Sequence, residues 1–162
     1  MPKKITVGIN GLGRIGRLAL RNVWDDPDLD IVAVNSRSSA ALYAHLLKYD
    51  SSYGIWQKTV QAVGNDALAI DGRRLPIFRV LEPAKIPWRD CGAEAVIEST
   101  GVFRSRQDSA KHLQAGAKSV VISAPTAEAD ITVVPGVNER AYAKTPFVAA
   151  ARPHGAAADV TV

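Results

Sequence analysis

The sequence predicts an α/β domain with a mostly parallel sheet, helices on both faces and an inserted antiparallel meander. Three observations predict it. Ile5 to Asn10 is a short run rich in β-branched residues, followed at once by Gly11, Gly13 and Gly16 and then by a helical period. A second such run, Leu29 to Asn35, completes a strand, glycine turn, helix and strand within about thirty residues, which is one βαβ unit. After Tyr53-Gly54 the pattern changes to short alternating segments separated by turn signals.

Taken in order, the first helix carries Ile15, Leu18, Ala19 and Val23 at i, i+3, i+4 and i+8, which predicts that these form its inner face. Asp25-Asp26-Pro27-Asp28 ends it. The second helix starts near Ser38 or Ser39 as N-cap and is expected to bury Leu42, Leu46 and Leu47. Strands over Lys58–Val63, Ala67–Ile70 and Leu75–Val80, with turns at Gly64-Asn65-Asp66 and Asp71-Gly72, make the meander, spanning about 56–80. Pro83 and Pro87 mark a loop. Ala95–Ser99 is the next strand, broken at Gly101; Ser105–Ala115 is a helix stopped by Gly116, and Ser119–Ser123 and Ile131–Val134 are further strands. Residues 1–148 therefore form one Rossmann-type domain. Ala149–Val162, with six alanines and no amphipathic period, reads as an irregular tail.

Composition narrows the functional classes. The 162 residues are 47% hydrophobic and 22% charged with a net charge of +4, which suits a soluble globular domain and excludes wholesale disorder. An isoelectric point of 9.4 invites a nucleic-acid reading, but the basic residues do not cluster, so nucleic acid is an unlikely partner. No apolar run has the roughly 18–20 residues of a membrane helix, and the N-terminus lacks the cleavage signal of a secretory peptide. With Cys91 as the sole cysteine there is neither an internal disulfide nor a cysteine zinc site, and the expected compartment is the reducing cytoplasm. No metal site is expected.

Gly11-x-Gly13-x-x-Gly16 closes a strand and opens a helix, where a dinucleotide fingerprint belongs. Gly11 permits the tight turn, Gly13 lets backbone approach a pyrophosphate, and Gly16 lets helix and strand pack closely. Free amides at the helix start, with the positive end of its dipole, would hold the phosphates. The fingerprint also expects a carboxylate about 20 residues on, for the adenosine ribose 2′-OH. Asn35 ends the second strand, and Ser36 and Arg37 follow it where that carboxylate is expected. Ser36 repels nothing and Arg37 offers a charge-assisted partner, so the expected cofactor is NAD or NADP, with NADP tolerated.

Several strings together resemble the N-terminal half of glyceraldehyde-3-phosphate dehydrogenase over roughly residues 3–140. They are Val7 to Arg17, Leu46-Leu47-Lys48-Tyr49-Asp50-Ser51, Glu98-Ser99-Thr100-Gly101-Val102-Phe103, Ala115-Gly116-Ala117-Lys118, Ile122-Ser123-Ala124-Pro125 and Gly136-Val137-Asn138-Glu139. The resemblance implies that Asn10, Gly11, Gly13, Arg14 and Ile15 line the adenosine and pyrophosphate part of the site. It places Ser99, Thr100, Gly101 and Phe103 beside the adenine and nicotinamide ribose, and Ser123 near the nicotinamide. It further implies oxidation of an aldehyde to an acyl phosphate with hydride passing to the nicotinamide, and self-association as in the tetrameric family.

The sequence departs from the family in three places. The ribose-binding Asp is Ser36, and the Arg before the Asp-Pro loop is Leu81 ahead of Glu82-Pro83. After Val148 the chain runs Ala149-Ala150-Ala151-Arg152-Pro153-His154 where the family has its Ser-Cys-Thr-Thr-Asn motif, as a truncation or frame shift would produce. The nucleophilic Cys and the His that activates it are thus absent, and the chain is expected to bind cofactor without turnover. Cys91 reads as a packing residue, His45 and His112 as surface or half-buried histidines, His154 as part of the tail, and Asp50 as a local cap. Two alternatives stand beside this reading: a stand-alone nucleotide-binding module, and a fragment of an erythrose-4-phosphate dehydrogenase-like enzyme.

Overall fold

In the computed structural model, residues 3–124, 126, 129–133, 138 and 147–151 are described, the last five as strand backbone. The chain opens with β1 (Ile5–Asn10), α1 (Arg14–Val23), β2 (Leu29–Asn35) and α2 (Ala40–Lys48). A two-strand hairpin, β3 (Tyr49–Asp50) and β4 (Gly54–Ile55), leads into β5 (Val60–Val63), β6 (Ala67–Ile70) and β7 (Arg73–Phe78). Then come a 3-10 turn at Pro83–Lys85, β8 (Ala95–Glu98), α3 (Arg106–Ser109), α4 (Lys111–Gln114), β9 (Ser119–Ile122), β10 (Ile131–Val133) and β11 (Phe147–Ala151).

Among the described residues nine strands form one sheet in the order β10-β11-β9-β8-β1-β2-β7-β6-β5. All pairings are parallel except β5–β6 and β6–β7. The meander is therefore not a separate insertion: β7 runs parallel to β2 (Val34↔Ile77, Asn35↔Phe78) and carries the antiparallel strands as an extension of the same sheet. The chain moves outward one way through β2 and the other way through β8, so the strand order reverses between β1 and β8. That junction is where an open α/β sheet leaves a crevice beyond the carboxyl ends of its strands.

Helices cover both faces, and the alternation along β1 decides which side chains meet them. Val7 and Ile9 point to a core shared with Leu20 of α1 and Tyr43, Ala44 and Leu47 of α2. Gly8, between them, faces the other way against Trp88: a Cβ there would lie 2.5 Å from the indole, so only glycine leaves room for that fully buried ring. Trp88 joins Ala33, Ile86, Ala93, Val96 and Ala117 in the second core.

Four expectations need correction. The inner face of α1 is Gly16 and Leu20, continued by Trp24, while Ile15 is 53% exposed. Both sets fit a helical period, and the turn geometry that seats Gly16 on the Gly11 carbonyl decides between them. In α2 the N-cap is Ser39, whose Oγ accepts from the Leu42 amide, but Leu42 itself is exposed and Tyr43 is buried in its place. The helix over 105–115 is split at Ala110 into α3 and α4, capped by Ser105 at its start and closed by Gly116 at φ +112°. Ala149–Ala151, assigned to the irregular tail, lie in β11, parallel to both β9 and β10. A parallel strand paired on both edges needs no alternation, so an unpatterned alanine run can form one. Val134, His154 and the rest of the tail, 152–162, lie outside the described residues.

Candidate functional site

A cleft of about 290 Å³ opens at the carboxyl ends of β1, β2, β7 and β8. Its first wall is the glycine turn. Gly11 holds φ +96°, and a Cβ there would fall 2.7 Å from the Thr100 amide nitrogen, so the turn needs glycine for conformation and for room. Gly16 lies underneath, where a Cβ would sit 2.0 Å from the Gly11 carbonyl oxygen. Gly13 differs: it is exposed, with nothing within 4 Å of its missing Cβ. It also caps α1 without a side-chain acceptor, which leaves the first-turn amides without one. Bare amides, a helix start and a wall that stays open only without a side chain are the features a diphosphate needs.

The turn is clamped from β8. Ser99 donates its amide to the Asn10 carbonyl (2.8 Å), and its Oγ donates to the Gly11 carbonyl (2.7 Å). Asn10 and Asn35 meet the cleft as its floor, their side chains occupied with each other. Asn35 Nδ2 donates to Asn10 Oδ1 (2.8 Å) and to the Val80 carbonyl (2.9 Å), and its Oδ1 accepts from the Val80 amide (2.9 Å).

Of the residues the sequence singles out, Asn10, Gly11, Gly13, Asn35, Ser36, Arg37, Ser99, Thr100 and Phe103 line the cleft. Arg14, Ile15 and Gly16 do not: the first two are exposed on the opening turn of α1 and the third is buried under the turn. Gly101 (φ +73°) lies outside the lining, as does Ser123, which continues from the end of β9 with its amide donating to the Glu98 carbonyl. The structure adds Leu12, Tyr43, Arg79, Val80, Leu81 and Val102. Leu81 and Val102 are 70% and 64% exposed, an apolar pair at the mouth. Among the described residues no Asp or Glu lines the cleft, whereas Arg37 and Arg79 both do.

Below the floor is a buried polar network that sequence reading missed. Glu98 is 1% exposed and receives four donors. Asn10 Nδ2 (2.6 Å) and His112 Nε2 (2.9 Å) reach Oε2, and the Thr100 amide (2.8 Å) and hydroxyl reach Oε1. On the far side of the imidazole, Trp88 Nε1 donates to His112 Nδ1 (2.9 Å). An indole N–H can only donate, so Nδ1 must accept and the ring proton sits on Nε2, facing Glu98. His112, expected at the surface or half-buried, is thus fully buried. It reads as surface in the sequence because its partners stand 14 and 24 residues away.

The other suggestive residues fall elsewhere. Cys91 lies beyond the amino end of β8, away from the cleft, and burial pushes its thiol up, the opposite of what a thiolate nucleophile needs. Asp50 accepts from the Ser52 and Tyr53 amides, a local turn whose amides hold its carboxyl below the usual range. Lys118 and Lys3, also at the amino ends of the strands, bridge Glu94 and hold it at about 2. Among the described residues no cluster of His, Cys, Asp or Glu could hold a metal ion, and no helix is long and apolar enough to cross a membrane.

An open, mostly parallel α/β sheet with this glycine turn beside the reversal of its strand order defines a dinucleotide-binding domain. Residues 5–106 match the family model for the glyceraldehyde 3-phosphate dehydrogenase NAD binding domain, and the chain belongs to that family. It is 47% identical over 139 residues to glyceraldehyde-3-phosphate dehydrogenase of Podospora anserina, covering 85% of this chain and 41% of that relative. Similarity to glyceraldehyde-3-phosphate dehydrogenase 1 of Bacillus subtilis (strain 168) is 49% over 138 residues, with the same coverage. For the enzyme of Thermotoga maritima it is 48% over 135 residues, covering 82% of this chain and 40% of the relative. The chain spans about two fifths of the length of these curated relatives.

Proposed function

We propose that this domain holds a pyridine dinucleotide, NAD or NADP, for the phosphorylating oxidation of an aldehyde such as glyceraldehyde 3-phosphate. The observation that carries the reading is the glycine turn: Gly11 and Gly16 are needed by the fold itself, while Gly13 is left bare and facing open space. Backbone amides from Gly13 to Ile15 orient the diphosphate, Arg14 adds charge at the helix start, and Leu81 and Val102 cover the faces of the adenine. Ser99, Thr100 and Gly101 position the far ribose, and Ser123 borders the nicotinamide end. When bound, the nicotinamide supplies a hydride acceptor. The nucleophile that makes the tetrahedral intermediate is not among these residues, since Cys91 sits at the wrong end of β8, so we assign this chain cofactor binding and not turnover.

Tolerance of NADP follows from the ribose end. A carboxylate there would repel a 2′-phosphate carrying close to two negative charges, and among the described residues the lining has none. Ser36→Asp should therefore weaken NADP binding by roughly tenfold or more while NAD binding holds or improves. Dissociation constants for both dinucleotides measure this. A wild-type protein that binds NAD tightly and NADP not at all would contradict the reading.

The exposed side chains of Tyr49, Tyr53 and Ile55 on the β3–β4 hairpin support self-association. The single thiol, Cys91, fits a reducing compartment, and we place the protein in the cytoplasm.

A further inference from the structure

We infer that Arg79 contacts the 2′-phosphate and turns tolerance of NADP into preference for it. This rests on the cofactor reading above and takes it one step further. Arg79 comes from the meander, in a segment where neither periodicity nor a motif marks a binding residue. The fold delivers it: the Ser36 amide donates to the Phe78 carbonyl (2.9 Å), which sets Arg79 beside Ser36 at the end of the β2–β7 ladder.

Its guanidinium is already oriented. Nη2 donates to the Ser38 carbonyl (3.3 Å) and to the Asn65 carbonyl at the β5–β6 turn. Among the described residues, Nε and Nη1 make no hydrogen bond, and neither Arg79 nor Arg37 is paired with a carboxylate. A guanidinium held by one nitrogen keeps its other N–H groups in a fixed fork, the geometry that suits a phosphate.

The hydroxyls beside it point to the same ligand. Ser36 Oγ and Tyr43 Oη are in hydrogen-bond contact; Oγ also accepts from the Leu12 amide (3.2 Å), and Oη from the Ser38 amide (3.3 Å). Two hydroxyls sharing one bond spend one proton between them, so one O–H remains for the cleft whichever way the shared bond runs. This end of the cleft thus offers a hydroxyl donor and two arginines and, among the described residues, no carboxylate. A ribose 2′-OH gains most from a carboxylate that accepts its hydrogen bond. A phosphate monoester is an acceptor throughout and carries the charge to match.

The test is the pair of dissociation constants for NADP and NAD, measured by calorimetry on the whole chain, for the wild type, Arg79→Gln and the control Arg74→Gln. Arg74 lies on β7, the strand that leads into Arg79, but outside the cleft, within reach of Asp66. Arg79→Gln should weaken NADP by roughly tenfold or more and change NAD less than twofold, and Arg74→Gln should leave the ratio of the two unchanged. NADP binding by the wild type should also weaken with salt more steeply than NAD binding. If Arg79→Gln weakens both dinucleotides equally, Arg79 only ties the Ser38 and Asn65 carbonyls together and the inference fails; if it changes neither, the inference also fails. Should the wild type bind neither dinucleotide, the cofactor reading falls and takes this inference with it.

Discussion

Gly16→Ala should both destabilise the domain and abolish dinucleotide binding, whereas Gly13→Ala should abolish binding alone. At Gly16 the new methyl would lie 2.0 Å from the Gly11 carbonyl oxygen, 3.1 Å from its carbon and 2.9 Å from Ser99 Oγ. The obstacle is backbone, not the far end of a flexible side chain. The Gly11 carbonyl also accepts the Ser99 hydroxyl at 2.7 Å, so it cannot retreat without releasing the clamp from β8. Overpacking of this kind costs about 1–3 kcal/mol, and here the displaced atoms are the cofactor turn itself. At Gly13 the backbone is at φ −72°, a conformation alanine adopts freely, and the methyl meets nothing within 4 Å. Its expected effect is to stand where the proposed diphosphate would approach. Urea unfolding and calorimetry on the two variants separate these roles. Equal stability losses in both, or retained binding in Gly13→Ala, would show that the turn does not work as described.

The second large effect is expected at Glu98. Glu98→Gln is nearly isosteric, yet each orientation of the amide sets an NH₂ group against donors. Placed at Oε2 it faces His112 Nε2–H and Asn10 Nδ2; placed at Oε1 it faces the Thr100 amide and hydroxyl. Each buried donor left without an acceptor costs about 1–3 kcal/mol, so the variant should lose roughly 3 kcal/mol. For a domain of this size that is a fall in Tm of about 6–12 °C. His112→Ala should cost as much, by leaving the Trp88 indole N–H unpaired beside a cavity. Thermal melts check both. A loss below about 0.5 kcal/mol in each would mean the network is not closed as observed. Because Thr100 lines the cleft, Glu98→Gln should also weaken dinucleotide binding, which links the buried network to function through the position of one loop.

What the sequence made legible were features with local causes. β1, the glycine turn, α1 and β2 follow from a β-branched run, glycines at set spacing and a second run. The meander follows from Gly64-Asn65-Asp66 and Asp71-Gly72. The floor and clamp of the cleft, Asn10, Asn35 and Ser99, were in reach because they end strands or stand in a specific string. What stayed hidden depends on residues far apart in the chain. A face through Ile15 and a face through Leu20 each fit a helical period, and only the seat of Gly16 on the Gly11 carbonyl tells which face turns inward. Arg79 enters the cleft because β7 pairs in parallel with β2, a pairing that no feature of residues 73–80 announces. His112 is interior because Glu98 and Trp88 close on it from two other elements. Ala149–Ala151 form a strand because β9 and β10 flank them, not because alanine favours one.

A dinucleotide seated in the cleft over the glycine turn should move the amide chemical shifts of its walls on titration with NADP. The largest changes should fall on Gly11–Ile15, Ser36–Arg37, Arg79–Leu81 and Ser99–Gly101, saturating at one equivalent. Changes confined to the other end of the strands, around Lys3, Arg89, Glu94 and Lys118, or none at all on a folded spectrum, would contradict it.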